Sequence, residues 1–400
     1  MVRGRTTARS GAARVLGCAA VASAAVTLAA FAPAATATTW TPFANPAPVA
    51  IGGYPGSAEE PFISPDGRYL LFNSSEAEPD FSLQYALATG PAAFEYEGPI
   101  EGDEAGNRVN EVGSLSGTPT LDDEGDLYWI SNRSYGDTLG TVFGGRFNEG
   151  HVTGVHEVAG VRAPEFGQVD FDVGASPSGR FLYVAVGQFG GSGPPSSAKL
   201  VMFERSGERF VPHRAGESIL LNVNATAALV YAAAVTADEL EIFFTAASPA
   251  EGREPQVYRA TRKSATARFA HVERIAAITG FAEAPSISND GTTLYYHEKT
   301  GEEVHIQTVT RIANPPAVTS VSPRYGPAAG GTLIAVKGLN LGEPLAVRVG
   351  AAAASEVHVI SSSELTARTP PGSAGTVDVT VTTARATSAL TTKDHFTYKP

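Results

Sequence analysis

One pattern of apolar and polar positions recurs five times along the chain. It reads PFISPDGRYLLFNSS from Pro61, PTLDDEGDLYWISNR from Pro119, VGASPSGRFLYVAVG from Val173, AAVTADELEIFFTAA from Ala233 and PSISNDGTTLYYHEK from Pro285. Each copy predicts a short strand, a tight turn rich in Asp, Asn, Ser or Gly, and a second strand of aromatic and β-branched residues. The turn glycines Gly67, Gly125, Gly179 and Gly291 align with Glu239 in the fourth copy, at steps of 58, 54, 60 and 52 residues. Two further strand-like runs follow each hairpin, such as Gln256 to Ala260 and Arg268 to Ile275. Four antiparallel strands repeated radially make a β-propeller.

The fifth copy stops after its third strand, around His305 to Thr310. The segment PFANPAPVAIGG from Pro42 precedes the first copy much as RFAHVERIAAIT from Arg268 precedes the fifth. Residues around Phe43 to Ile51 are therefore expected to supply the missing strand and to remove the open edges of the ring. After Pro315-Pro316 the composition shifts to Val, Thr, Ala and Gly, with short alternating runs that suit a β-sandwich. The expectation is an all-β chain in two folded parts: a five-bladed β-propeller over residues 38–312, closed by an N-terminal strand, and an immunoglobulin-like β-sandwich over 317–400. A Pro-rich linker, 313–316, joins them.

The repeats resemble the WD40-like, Tol-B-type PD40 family. Its Ser-Pro-Asp-Gly turn is intact at Ser64-Pro65-Asp66-Gly67 and altered in the other four copies. The C-terminal segment resembles an IPT/TIG domain, an immunoglobulin-like fold. The residues that carry this likeness are Ser322-Pro323, Gly326-Pro327, Gly330-Gly331, Gly338-Leu339-Asn340-Leu341-Gly342 and Phe396-Thr397-Tyr398. The first resemblance implies a docking platform, a peptidase gate or a lyase alike; the second implies a spacer or interaction module without an active site. Both suggest a bacterial source, in which the Asn73, Asn132 and Asn224 triplets need not be glycosylated.

Residues 1–37 combine Arg3, Arg5, Arg9 and Arg14, an Ala-rich apolar run, and a small-x-small end at Ala35-Thr36-Ala37. These are the parts of a secretory signal peptide, with cleavage expected after Ala37 and no membrane span thereafter. The one cysteine, Cys18, would leave with the leader, so the exported chain would have no disulfide. With 42 Gly and 27 Pro the chain is rich in turn formers. The net charge of −12 divides into +4 on the leader, −18 on residues 38–312 and +2 on the remainder. That sign argues against nucleic acid and favours cations or basic partners. The acids fall largely on one loop face, including Glu76, Glu78, Asp80, Asp103, Glu104, Glu298 and Glu302.

Glu59, Glu60, Asp170, Asp172 and Glu283 lie at or near the starts of inner strands, where they could ring the axis. Such carboxylates could bind a cation or serve as the acid and base of a glycosidase. Asp122, Asp123 and Asp126 form a dense acidic cluster around a turn, but without the register of a calcium loop. No His-Glu-x-x-His, Gly-x-Ser-x-Gly or phosphate-binding loop occurs, and His297 alone is a thin basis for a lyase. The leading expectation is a secreted, monomeric, non-enzymatic protein that binds a protein or carbohydrate at the cell surface and needs no cofactor. The alternatives are a carbohydrate-active enzyme, glycosidase or lyase, working through axial carboxylates, and a calcium-stabilised protein of the cell envelope.

Overall fold

The computed structural model describes residues 38–74, 81–102, 108–191 and 193–400. The leader with Cys18 and the loop acids Glu76, Glu78, Asp80, Asp103 and Glu104 lie outside the described residues. No helix among the described residues is long and apolar enough to cross a membrane.

Strands dominate, in five groups of four mainly antiparallel strands of the propeller type, called sheets one to five below; a single parallel pairing, Ala198 with Leu229, joins the third to the fourth. Sheet one runs Ala58–Ile63, Tyr69–Ser74, Leu83–Gly90 and Ala93–Pro99 from the inside outward. Sheet two has Ser116–Leu121, Asp126–Ser131, Val142–Asn148 and His151–Glu157; sheet three has Gln168–Ala175, Phe181–Gln188, Ser197–Ser206 and Arg209–Pro212. Sheet four has Leu229–Val235, Glu241–Ser248, Arg253–Thr261 and Ala270–Arg274. Sheet five has Phe281–Ile287, Thr293–Thr300 and Glu303–Thr310, and its fourth strand is Ala44–Pro48, paired antiparallel to Glu303–Thr310. Closure from the front is therefore observed, but over a shorter span than expected. Ala50–Gly52 instead pairs parallel to Ala93–Pro99, at the outer edge of sheet one.

The inner strands form a ring held by side-chain hydroxyls. Ser286 Oγ accepts the Ile63 N–H, Thr120 Oγ1 that of Ala175, and Thr245 Oγ1 that of Ala284, each at 3.0 Å. Between sheets three and four the contact is closer: a methyl group on Gly174 would overlap the Ala233 carbonyl. Buried clusters fill the wedges between successive sheets, and Leu70 and Phe72 of sheet one meet Tyr295 and Ile306 of sheet five. Burial at these wedges drives the packing.

The turns explain why the repeat tolerates sequence drift. Ser64 Oγ donates to Asp66 Oδ1 at 2.6 Å and accepts the Tyr69 N–H, while Asp66 Oδ1 accepts the Arg68 N–H. Thr236 with Asp238 and Ser288 with Asp290 repeat the arrangement. At the fourth turn Glu239 takes φ 56°, the left-handed conformation held by Gly67, Gly125, Gly179 and Gly291 in the other copies.

A second recurring device was not anticipated from the sequence. Arg205, Arg262 and Arg311 each donate from Nε to the carbonyl of the turn residue of their own sheet, Gly179, Glu239 and Gly291, at 2.7 to 2.9 Å. Each guanidinium lies over an aromatic ring: Phe210 at 5.0 Å, Phe269 at 4.4 Å and Phe43 at 4.7 Å. Phe43, at the start of the closing segment, thus does for sheet five what Phe269 does for sheet four. Another feature missing from the sequence reading is the helix Gly216–Asn224, which packs Ile219, Leu220 and Val223 into the core of sheets three and four.

Residues 317–399 form two facing sheets around Val321, Ile334, Val336, Leu365, Val379 and Phe396. Asn340 ties this sandwich to the N-terminal segment. Its Oδ1 accepts the Thr39 N–H at 2.8 Å and its Nδ2 donates to the Asn314 carbonyl at 2.6 Å.

Arg311 and Glu241 form a nearly fully buried ion pair that joins sheets five and four. Glu241→Gln should lower the stability of the propeller by about 3–5 kcal/mol, because it leaves the buried guanidinium without its counter-charge. Breaking the exposed Arg180–Glu204 pair with Arg180→Ala should cost under about 1 kcal/mol. Urea denaturation followed by tryptophan fluorescence measures both.

Candidate functional site

Every inner strand breaks its ladder near the same place. Register shifts fall between Glu59 and Phe62, Gly117 and Thr120, Asp170 and Asp172, Tyr231 and Ala234, and Glu283 and Ser286. Glu60, Thr118, Ala232 and Ala284 take φ between 51° and 54° at these bulges. Because the strain recurs in four sheets, it belongs to the construction of the ring and is not by itself a mark of chemistry. Its effect is to turn residues toward the axis. Counting back seven positions from each turn residue places Glu60, Thr118, Asp172, Ala232 and Ala284 on one level.

An axial cavity of about 60 Å³ begins at Glu60, Thr118 and Asp172 and extends past Ala233 and Ile63 to Pro65 and Asn289 at the turns. That is less than half the roughly 150 Å³ known to admit one benzene ring, and it suits a few waters or a small group. Most of the lining is apolar, so the carboxyls form its polar end.

Glu60 and Asp172 are held above the ordinary carboxylate range. For Glu60 the causes are burial first, then the charges of Asp172, Glu283 and Glu59, opposed by the Thr118 amide. Asp172 is pushed up to about 8, by burial and then by Glu283. Glu283 goes the other way. Burial pushes it up, but hydrogen bonds from His297 and Tyr231 outweigh this and hold it below the usual glutamate value. The His297 Nε2 lies 3.0 Å from Glu283 Oε1, and the Tyr231 hydroxyl donates to Oε2. His297 Nδ1 accepts the Glu60 N–H at 3.0 Å, which fixes the ring as the Nε2–H tautomer and makes it a donor to Glu283. Electrostatically, His297 and, more weakly, the exposed Lys299 act on Glu283 in the same direction.

Glu60, Asp172 and Glu283, from sheets one, three and five, are therefore brought together at the axis. Glu60 and Asp172 line the cavity; Glu59 adds charge to Glu60 and Glu283 acts on both from just behind, and neither is part of the cavity wall. Asp170 does not join the ring either. It precedes the bulge of its strand and is fully buried away from the cavity, with neither carboxylate oxygen hydrogen-bonded. Burial alone pushes it up to about 7. In sheet four the residues at the matching level are Tyr231 and Ala232.

Tyr231 is the member missed from sequence, and His297, noted there only as a thin basis for a lyase, was not placed with the carboxylates. His297 could have been found by counting outward from the fifth turn, since the ladder sets it directly opposite Glu283. The turn cluster serves the backbone. Asp122 Oδ1 accepts the Glu124 and Asp126 N–H groups, Arg205 lies 3.5 Å from Asp122 and 3.3 Å from Asp126, and Asp123 is exposed to solvent. These three acids therefore do not converge on a common point.

Residues 316–398 match the IPT/TIG domain model, and the polypeptide carries a C-terminal TIG domain of immunoglobulin-like fold. No curated protein matches the sequence. Solved structures that resemble it include a thermostable family-43 glycoside hydrolase, at 11% identity and TM-score 0.39, covering 66% of this protein and 92% of that one. TolB from Acinetobacter baumannii is similar at 12% identity and TM-score 0.35, covering 80% and 65%. The catalytic domain of a Coprinopsis cinerea GH62 α-L-arabinofuranosidase is similar at 12% identity and TM-score 0.40, covering 70% and 98%. The class defined is an all-β, propeller-type protein with a TIG domain.

Asp170 carries a pH dependence with a definite sign. Its folded value of about 7 lies above its ordinary 3.8, so the folded state holds a proton that the unfolded state has released. Stability should fall as pH rises from about 4 to about 7 and then level off. Asp170→Asn should flatten this slope and raise the melting temperature at pH 8; the penalty removed is at most on the order of 4 kcal/mol. Thermal melts across pH 5 to about 9 test it.

Proposed function

We propose that the propeller is a binding module that takes a small cationic group, such as the ammonium or guanidinium of a basic partner, at its axial carboxylates. The observation that carries this reading is the convergence of Glu60, Asp172 and Glu283 from three sheets, with no lysine or arginine among the described residues that pairs with any of the three and with His297 bridging Glu60 and Glu283. Like charges that raise one another's pKa are relieved by a cation. The cavity is of a size for such a group, and the −18 charge of residues 38–312 would draw a basic partner toward it. On this reading residues 1–37 export the protein and the TIG domain acts as spacer or second contact.

A second reading, hydrolysis of a glycoside, is favoured by one observation. Asp172 would remain protonated at neutral pH while Glu283 is ionised, the division of labour an acid and a base require. Against it stands the cavity, too small to admit a sugar ring from the turn side, so substrate would have to approach from the strand starts.

Titration of the mature protein with fluorescent lysine- and arginine-rich peptides should give salt-sensitive binding. The Asp172→Asn, Glu283→Gln double variant should weaken it about tenfold or more, in line with loss of buried charge partners. Cation binding favours ionised Asp172, so affinity should rise with pH and level off above about 8. Equal binding by wild type and double variant would remove the axial site from the account. Turnover of aryl glycosides by wild type, lost in Glu283→Gln, would favour the enzyme instead.

A further inference from the structure

The TIG domain holds a second group of chemistry-bearing side chains, independent of the propeller axis. Strand Gly375–Thr382 pairs antiparallel with His395–Lys399, and the register sets Asp378 directly across from His395. His395 Nε2 stands 3.4 Å from Asp378 Oδ1. Asp394 precedes the second strand, and one of its carboxylate oxygens lies within 4.8 Å of ligand atoms of both neighbours. Among the described residues this is the one such group of three or more His, Cys, Asp or Glu side chains.

An acidic cluster of this kind is common without a ligand, but Asp394 is unusual. Its side chain is fully buried, Oδ2 accepts the Thr391 N–H at 2.8 Å, and Oδ1 has no hydrogen-bond partner. A buried carboxylate oxygen left bare is costly, and a bound ion would remove that cost. The loop carrying Asp394 is anchored beforehand. Arg324 donates to the carbonyls of Thr392 and Lys393, and the Asp394 carbonyl accepts the Val379 N–H at 2.8 Å. Asp378 and His395 are each part-exposed, so the group opens to solvent on their side.

We propose that Asp378, Asp394 and His395 form a divalent metal site of the zinc class, with solvent in the remaining coordination positions. Two carboxylates and an imidazole are the mixed oxygen and nitrogen donors such ions take. Bonds of about 2.1 Å in a tetrahedral arrangement put ligand atoms about 3.4 Å apart, which is the spacing already present between Asp378 and His395. The Asp394 oxygen lies within 4.8 Å of both, so small rotations of the two part-exposed side chains toward it would close the set. The expected role is to clamp the last strand of the sandwich to its neighbour.

The test uses the full-length protein, stripped with chelator and titrated with Co²⁺ and then Zn²⁺. Wild type should bind one ion per polypeptide, give the visible absorption of bound Co²⁺, lose it to Zn²⁺, and melt at a higher temperature with Zn²⁺ present. His395→Gln and Asp378→Asn, both at part-exposed positions, should each weaken binding about tenfold or more while leaving the fold intact by circular dichroism. Asp394→Asn should do the same if it folds. The Asp172→Asn, Glu283→Gln double variant should bind as wild type does, which separates this site from the axial one. Absence of uptake, unchanged affinity in His395→Gln, or a preference for Ca²⁺ over Zn²⁺ would overturn the proposal.

Discussion

The propeller depends on arginines that each make three kinds of contact at once. Arg205, Arg262 and Arg311 satisfy a turn carbonyl, cover an aromatic ring of the outer strand and meet a carboxylate: Asp122 and Asp126 for Arg205, Glu239 for Arg262, Glu241 for Arg311. A planar guanidinium can do this because its donors point in fixed directions while its faces stay free to stack. The Arg205 and Arg311 pairs cross from one sheet to the one before it. Adjacent sheets are thereby set at a defined angle, which apolar packing alone would leave loose. Arg311 is the one on which closure turns, since it lies over both Trp40 and Phe43 of the N-terminal segment.

The axial site follows from that ring. Inner strands drawn together around one axis cannot remain regular along their whole length, and the bulges relieve the crowding. Where the bulged residue is small, as at Ala232 and Ala284, it merely forms wall. Where it is acidic, as at Glu60, a charge is carried into a space with little water. His297 and Tyr231 then set which carboxyl stays ionised, through hydrogen bonds that only Glu283 receives.

Much of this architecture was legible in the sequence because strand alternation and turn chemistry are local. The five hairpins, the strand supplied from the front and the two-part organisation could be read from apolar spacing and turn residues. Glu239 could be placed as a turn residue by alignment alone, and its left-handed backbone agrees. What escaped was non-local. Asp170 and Asp172 part company across a bulge, and His297 gains meaning only when Glu60 arrives from the far end of the sequence. The helix Gly216–Asn224 escaped for a different reason: Ala215 offers no side-chain cap, so the usual start signal is missing.

The pairing of Ala44–Pro48 with Glu303–Thr310 also bears on how the molecule comes into being. The closing strand is the first of the ring to be made and its partner the last, so sheets one to four must accumulate on a ring that cannot yet shut. Joining segments so remote carries a large loop-closure entropy and makes completion a late, slow event. Until Glu303–Thr310 is available, the outer edge of sheet five and the strand that covers it stay apart, so the ring as a whole and not any single sheet is the unit that becomes complete.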